Sequence, residues 1–187
     1  MRSDFWVHAT SLVCLTAISL AALFFCSRHE VRVSVNAKSF IGVNRAQLVE
    51  WVVRHSRYTS RATAARIVDA ALETRYPLLI LALAARESGF DAHAVSSKKA
   101  RGLLQIAPCW FRELKRRRLI TDVRDLYDVE TNIYASSYIL DYLFRTRPSL
   151  DKVLESYVGG EHKTYVRDVK NNLAELAIIA LQPSHVR

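Results

Sequence analysis

The sequence predicts a mainly α-helical single domain with at most a small β element, preceded by an N-terminal apolar helix. Three observations predict this. Apolar residues recur at offsets of three and four through most of residues 44–181, the period of an amphipathic helix. Residues that start or stop helices, Asn44, Pro77, Pro148 and the Gly159-Gly160 pair, fall between those runs. Strand-like alternation is confined to residues 30–36 and to part of 94–106, and an isolated strand has little to pair with.

The chain opens with "FWVHATSLVCLTAISLAALFF", residues 5–25, which holds no Asp, Glu, Lys or Arg. About 20 apolar residues suffice to span a bilayer, so the segment reads as a membrane anchor or as a secretory signal peptide with Arg2 as its basic start. A small-x-small site occurs at Ser19-Leu20-Ala21, but apolar residues continue past it, which favours the uncleaved anchor. Phe25 precedes Cys26 where a lipoprotein signal requires a small residue, which argues against lipidation. Residues 1–26 are thus assigned to the anchor or signal, 27–41 ("SRHEVRVSVNAKSFI") to a linker, and 42–187 to the folded body. Arg28, Arg32, Lys38 and Arg45 follow the apolar segment whereas only Arg2 precedes it. Taken alone, that asymmetry would keep the body in the cytoplasm.

Helices are expected next in order. "NRAQLVEWVVRHS" has Asn44 and Gln47 at capping-box spacing, with Leu48, Trp51 and Val52 on one face. A second helix at about 60–74 aligns Ala64, Ile67, Val68, Ala71 and Leu72. Pro77 suits the first turn of a third helix, because that position has no hydrogen-bonded N–H to lose. "CWFRELKRRRL" (109–119) reads as a fourth, and "ETNIYASSYILDYLF" (130–144) as a fifth, with Ile133, Ser137, Leu140 and Phe144 facing inward. "LDKVLESYVGG" is a short helix closed by glycines, which tolerate the left-handed backbone of a helix end. The last helix, from about Thr164 to Leu181, turns Val166, Val169, Leu173, Leu176 and Ala180 inward.

With 187 residues, half of them apolar, the chain has enough material for a real core. The net charge of +9 falls wholly on residues 27–187, because Arg2 and Asp4 cancel in the first 26. Such a domain suits an anionic partner: nucleic acid, an acidic membrane surface or an anionic wall polymer. The run "KRRR" (115–118) would spread around a helix rather than form one stripe, so it reads as a solvated face, with contact to an anionic ligand as the alternative. A nucleic-acid-binding domain would leave the apolar start and the motifs described below unexplained, so nucleic acid is not expected as a partner. Three cysteines make no disulfide framework, and the cysteines and histidines show no metal-ligand spacing. Neither a cofactor nor a metal is expected.

On the third helix, Ile80, Leu83, Ala84 and Glu87 fall at offsets of three and four, which places a carboxylate on the core face. Burial disfavours an ionised Glu, so its pKa should rise and the group should hold its proton near neutrality. A partly buried carboxylic acid at a cleft edge is what glycosidic cleavage needs from a general acid. The plainer reading, a frayed helix end with Glu87 paired to Arg86 or solvent, stays open at this point.

"ARESGFDAHAVSSKKARGLLQIAP" resembles the signature of the soluble-lytic-transglycosylase (SLT) family, related to goose-type lysozymes. The matching residues are Glu87-Ser88, Phe90, Ser96 and the run Gly102-Leu103-Leu104-Gln105-Ile106-Ala107-Pro108. "NIYASSYILDYL" is similar to the family's next helix, and "SYVGG" stands in place of its Ala-Tyr-Asn-Ala-Gly motif. The likeness covers roughly residues 60–172, with its three motifs in order.

The resemblance implies a lysozyme-like catalytic domain that cuts peptidoglycan glycan strands between N-acetylmuramic acid (MurNAc) and N-acetylglucosamine (GlcNAc) without water, closing a 1,6-anhydro ring. It implies Glu87 as the single catalytic acid and base. Ser88, Ser96, Gln105 and Tyr157 are implied on the substrate side, with Tyr157 holding Glu87 in orientation. The ordinary alternatives are a loop hydroxyl for Ser96, a surface amide for Gln105 and a core aromatic for Tyr157. Asp91 reads as a helix-end or loop residue rather than a second catalytic carboxylate. Val158 departs from the pattern, standing where the family usually has Asn; Leu104 replaces Met, Ala107 takes a position often held by Met, and Ser136 replaces Gly.

Because peptidoglycan lies outside the cytoplasmic membrane, the resemblance implies export to the periplasmic face of the inner membrane, or release into the periplasm if the apolar segment is cleaved. Long domains translocate largely regardless of flanking charge. A monomer is expected. A goose-type hydrolytic lysozyme and a peptidoglycan-binding scaffold with weak or lost activity are the alternatives.

Overall fold

The computed structural model describes residues 44–57 and 59–182. The apolar segment 5–25, the linker and the alternating "VRVSV" lie outside the described residues. Among the described residues, no helix is long and apolar enough to cross a membrane. These residues are mainly helical: α1 Arg45–His55, α2 Arg61–Leu72, α3 Pro77–Glu87, α4 Phe111–Arg116, α5 Val129–Thr146, α6 Leu150–Val158 and α7 Lys163–Leu181. Short 3-10 turns at Pro108–Trp110 and Val123–Tyr127 precede α4 and α5. Among the described residues the small β element amounts to two isolated bridges, Val95 with Arg101 and Arg101 with Ile106.

Five helices, α1, α2, α3, α5 and α6, start for a local chemical reason. Side-chain oxygens of Asn44, Ser60, Asp128 and Ser149 accept backbone N–H groups in the first turns of α1, α2, α5 and α6, groups that have no partner inside the helix. The expected capping box at α1 is half formed: Asn44 accepts from the Gln47 N–H, while Gln47 Oε1 is buried with no partner among the described residues. Pro77 opens α3, and Gly159, at φ +84°, closes α6.

Helix α3 is the centre of the core. Leu79, Ile80, Leu81, Ala82, Leu83 and Ala84 are all buried, so α3 is enclosed on every side rather than along the single stripe that its spacing suggests. Helix α7 packs along it, and α1, α2 and α5 complete the enclosure. The inward faces of α1 and α2 form as expected, with Leu48, Trp51, Val52, Ala64, Ile67 and Val68 fully buried.

Two elements differ from expectation. Helix α4 stops at Arg116, and Arg118 turns left-handed at φ +59°, so only Lys115 and Arg116 of the basic run are helical. On α5 the fully buried polar residues are Asn132 and Ser136, while Ser137 is only half-buried. One residue of slip on a helix is about 100° of rotation, enough to exchange which serine faces the core.

Candidate active site

Glu87 is the last residue of α3. Beneath it Ile80, Leu83 and Ala84 are fully buried. Beyond it the chain reverses through Gly89 (φ +58°) and Phe90 (φ +66°). A left-handed backbone costs a non-glycine residue about 1 kcal/mol or more, and packing must hold it there. Phe90 is held: its ring is buried edge-on against Trp51, and its carbonyl accepts the Thr59 hydroxyl at 2.8 Å. The turn therefore ends the helix sharply and leaves Glu87 half-buried at the edge of the core.

Burial pushes the Glu87 carboxyl up to about 7, while a hydrogen bond from Tyr165 and the charge of Arg86 act in the opposite direction. The C-terminal end of a helix is its negative pole, which also disfavours a carboxylate. The group is thereby set to gain or lose a proton near neutral pH, the range in which one residue serves as acid and then as base.

Tyr165, on α7, donates its hydroxyl to Glu87 Oε1 at 2.5 Å. The Tyr165 phenol is itself pushed up, by burial first and by Glu87 second, so it stays a donor. The Arg86 guanidinium lies over its ring at 5.5 Å and pairs with Asp168 at 3.5 Å. Sequence reasoning missed Tyr165. It lies beside Val166 on the inward face of α7, where a tyrosine reads as core, and its partner is 78 positions away.

Tyr157 stands elsewhere in the site. Its hydroxyl donates to the Leu104 carbonyl at 2.9 Å and meets Ser136 Oγ at 3.3 Å. Glu87 lies within electrostatic reach and, after burial, helps push the Tyr157 phenol up. Among the described residues, however, the hydrogen bond that holds Glu87 comes from Tyr165 and not from Tyr157.

Ser88 likewise acts on the backbone, donating to the Leu103 carbonyl at 2.6 Å. Buried Asn132 completes the set. Its Oδ1 accepts the Leu104 N–H at 2.9 Å, and its Nδ2 donates to the carbonyls of Leu126 at 2.7 Å and Arg101 at 3.2 Å. Three side chains, one just past the end of α3 and the others on α5 and α6, thus brace residues 101–104 through main-chain groups. Gly102 is obligatory there: a Cβ would meet the Leu126 carbonyl oxygen at 2.0 Å and Asn132 Nδ2 at 2.3 Å. The signal for Asn132 was an amide on an otherwise apolar helix face, which a buried hydrogen-bonding role explains.

Gln105, left-handed at φ +47°, donates both amide hydrogens to the carbonyls of Ala94 (3.0 Å) and Gly102 (2.9 Å). Its amide oxygen is left as an acceptor. Ser96 Oγ accepts the Ala100 N–H at 3.0 Å, so its own hydrogen is available to donate. Asp91 accepts the His93 N–H at 2.8 Å in a tight loop. Val158 is half-buried against the core. Among the described residues, no group of three or more His, Cys, Asp or Glu side chains is placed to hold a metal ion.

The sequence matches the model of the Transglycosylase SLT domain over residues 69–178, more than half of the chain. The chain belongs to the SLT transglycosylase domain family. Membership brings peptidoglycan as the polymer bound and, in general, peptidoglycan cleavage of the lytic-transglycosylase type. The matched span runs from Asp69 on α2 to Ile178 on α7 and includes Glu87, Asn132, Tyr157 and Tyr165. No curated protein matches the chain.

Proposed function

We propose that this SLT domain is a lytic transglycosylase that cleaves the β-1,4 bond between MurNAc and GlcNAc and leaves a 1,6-anhydro-MurNAc end, with Glu87 as its single acid and base. The observation that carries this reading is Glu87 itself: a half-buried carboxyl at the end of a buried helix, pushed up to about 7 and held by Tyr165.

Protonated Glu87 gives its proton to the glycosidic oxygen, the bond from MurNAc C1 to that oxygen breaks, and GlcNAc departs with a hydroxyl. The carboxylate then takes the proton from the MurNAc C6 hydroxyl as its oxygen bonds to C1. The proton count closes on Glu87 and no water is consumed. A second carboxylate is not needed, consistent with the loop role of Asp91. While Glu87 is ionised, the Tyr165 hydrogen bond stabilises it and fixes which oxygen faces the substrate. Ser96, whose hydroxyl hydrogen has no acceptor among the described residues, and Gln105, whose amide oxygen has no donor among them, supply a donor and an acceptor for sugar groups. Ser88 and Tyr157 hold the backbone that carries Gln105.

This reading places the domain at the periplasmic face of the inner membrane, tethered by residues 5–25 or released if they are cleaved, and acting as a monomer. The test is digestion of purified sacculi by the full-length chain and by Glu87→Gln, read by mass spectrometry of the released fragments. Anhydro ends, lighter by one water than reducing ends and absent with Glu87→Gln, are expected. Reducing ends would make the protein a hydrolase of the goose-lysozyme type. Binding to sacculi without release would make it a scaffold.

A further inference from the structure

A pocket of about 410 Å³ opens between α4 and α5, lined by Trp110, Tyr138, Tyr142, Arg116, Arg117 and Arg145, with Glu113 beside them. Tyr138, Tyr142 and Arg145 follow one another at offsets of four and three along α5. Tyr138 lies about 200° around that helix from Ser136, so the pocket faces away from the side of α5 that meets Tyr157. Its volume lies in the range of small-ligand sites, about 300–1,000 Å³.

The pocket is organised around a carboxylate that is already satisfied. Glu113 accepts two bonds from Arg116 at 2.7 and 2.8 Å, one from Arg117 at 3.0 Å and one from the Tyr138 hydroxyl at 2.8 Å. These bonds fix two guanidinium groups that exposed arginines would otherwise let swing, and each keeps N–H groups that Glu113 does not use. Arg117 also lies over the Tyr138 ring at 5.6 Å. Arg145 makes no hydrogen bond or ion pair among the described residues. Three positive charges therefore meet one negative charge. On the apolar side, Trp110 and Tyr142 stand edge to face at 5.4 Å, with Tyr142 43% exposed.

Arginine forks match the planar geometry of carboxylates, and also pair with phosphates, while the aromatic wall takes an apolar or alkyl group next to the anion, a combination that a carboxylate on a peptide supplies. A concave site of this kind fits a short peptide bearing carboxylates better than the flat surface of a membrane or a continuous polyanion. We propose that this pocket is a second binding site, for a carboxylate-bearing peptide, and that on peptidoglycan its ligand is the peptide stem. The second half of the proposal rests on the peptidoglycan reading above. A stem held here would anchor the domain to the wall at a point separate from Glu87.

The experiment is calorimetric titration of the full-length chain in detergent micelles with a glycan-free stem tetrapeptide. The same peptide with its carboxylates amidated and glycerol phosphate are the control probes. The free acid is expected to bind, with affinity falling as salt rises, and Arg145→Ala is expected to weaken it about tenfold, with Arg145→Glu weaker still. Both substitutions are at an exposed side chain that makes no hydrogen bond or ion pair among the described residues, so folding is retained. Equal binding of the amidated peptide, or affinity unchanged by Arg145→Glu, would overturn the proposal. Binding of glycerol phosphate in place of the peptide would also overturn it, in favour of a phosphate site. The titration needs no turnover, so its result is independent of sacculus digestion: peptide binding with no cleavage would fault the assignment of Glu87, and cleavage without peptide binding would fault this pocket.

Discussion

Tyr165 and Glu87, 78 positions apart, share a 2.5 Å hydrogen bond where α7 lies along the end of α3. The bond favours ionised Glu87 while burial favours the neutral form, and burial prevails. Tyr165→Phe removes only the oxygen. The pKa of Glu87 is then expected to rise further, moving the alkaline limb of the pH–rate profile, where the protonated acid is lost, to higher pH, with kcat reduced about tenfold. A pH profile of sacculus digestion reads both, and an unshifted limb with full kcat would exclude a positioning role.

The raised pKa has a consequence for stability. The unfolded chain gives Glu87 an ordinary carboxylate pKa, so between that value and about 7 the folded state binds the extra proton. The stability contribution is full below the unfolded pKa and is lost as pH rises through about 7. Glu87→Gln, neutral at every pH, is expected to match wild type near pH 4 and to exceed it by about 1–3 kcal/mol at pH 8. Urea unfolding at the two pH values decides this, and equal differences at both would mean that Glu87 titrates normally.

Gly102 and Gly159 both have positive φ but differ in the space around them. A Cβ at Gly102 collides with the Leu126 carbonyl and Asn132, whereas at Gly159 nothing lies within 4 Å. Gly102→Ala is expected to lower stability by about 3 kcal/mol or more, roughly 10 °C in Tm. Gly159→Ala is expected to cost only about 1 kcal/mol, for backbone strain. Thermal melts that rank the two equally would mean that the Gly102 backbone readily shifts.

Asn132 holds three main-chain groups in a fully buried position. Asn132→Ala leaves them without that partner, at an expected cost of about 3 kcal/mol or more. Hydrogen exchange gives the specific readout: the Leu104 amide should lose protection more than amides of α2. Loss spread evenly over the domain would indicate general loosening instead.

Helix existence and inward faces were legible because packing repeats every three to four residues, as in the Leu48, Trp51 and Val52 face of α1. The position of Glu87 on a core face was legible for the same reason. Tyr165 was not, since periodicity compares a residue only with neighbours on its own helix. The backbone roles of Ser88 and Tyr157 were also hidden: a side chain that braces a carbonyl has the same spacing as one that meets a ligand. The early end of α4 escaped because Arg117 and Arg118 are good helix formers by composition, and only the left-handed turn at Arg118 stops the helix.

Because α3 is enclosed by its neighbours on every side, it has no separate route by which to melt. Its last residue, Glu87, is therefore tied to the survival of the domain as a whole. Warming should reveal no interval in which the protein is folded yet its acid is loose: loss of activity and loss of structure should share one midpoint.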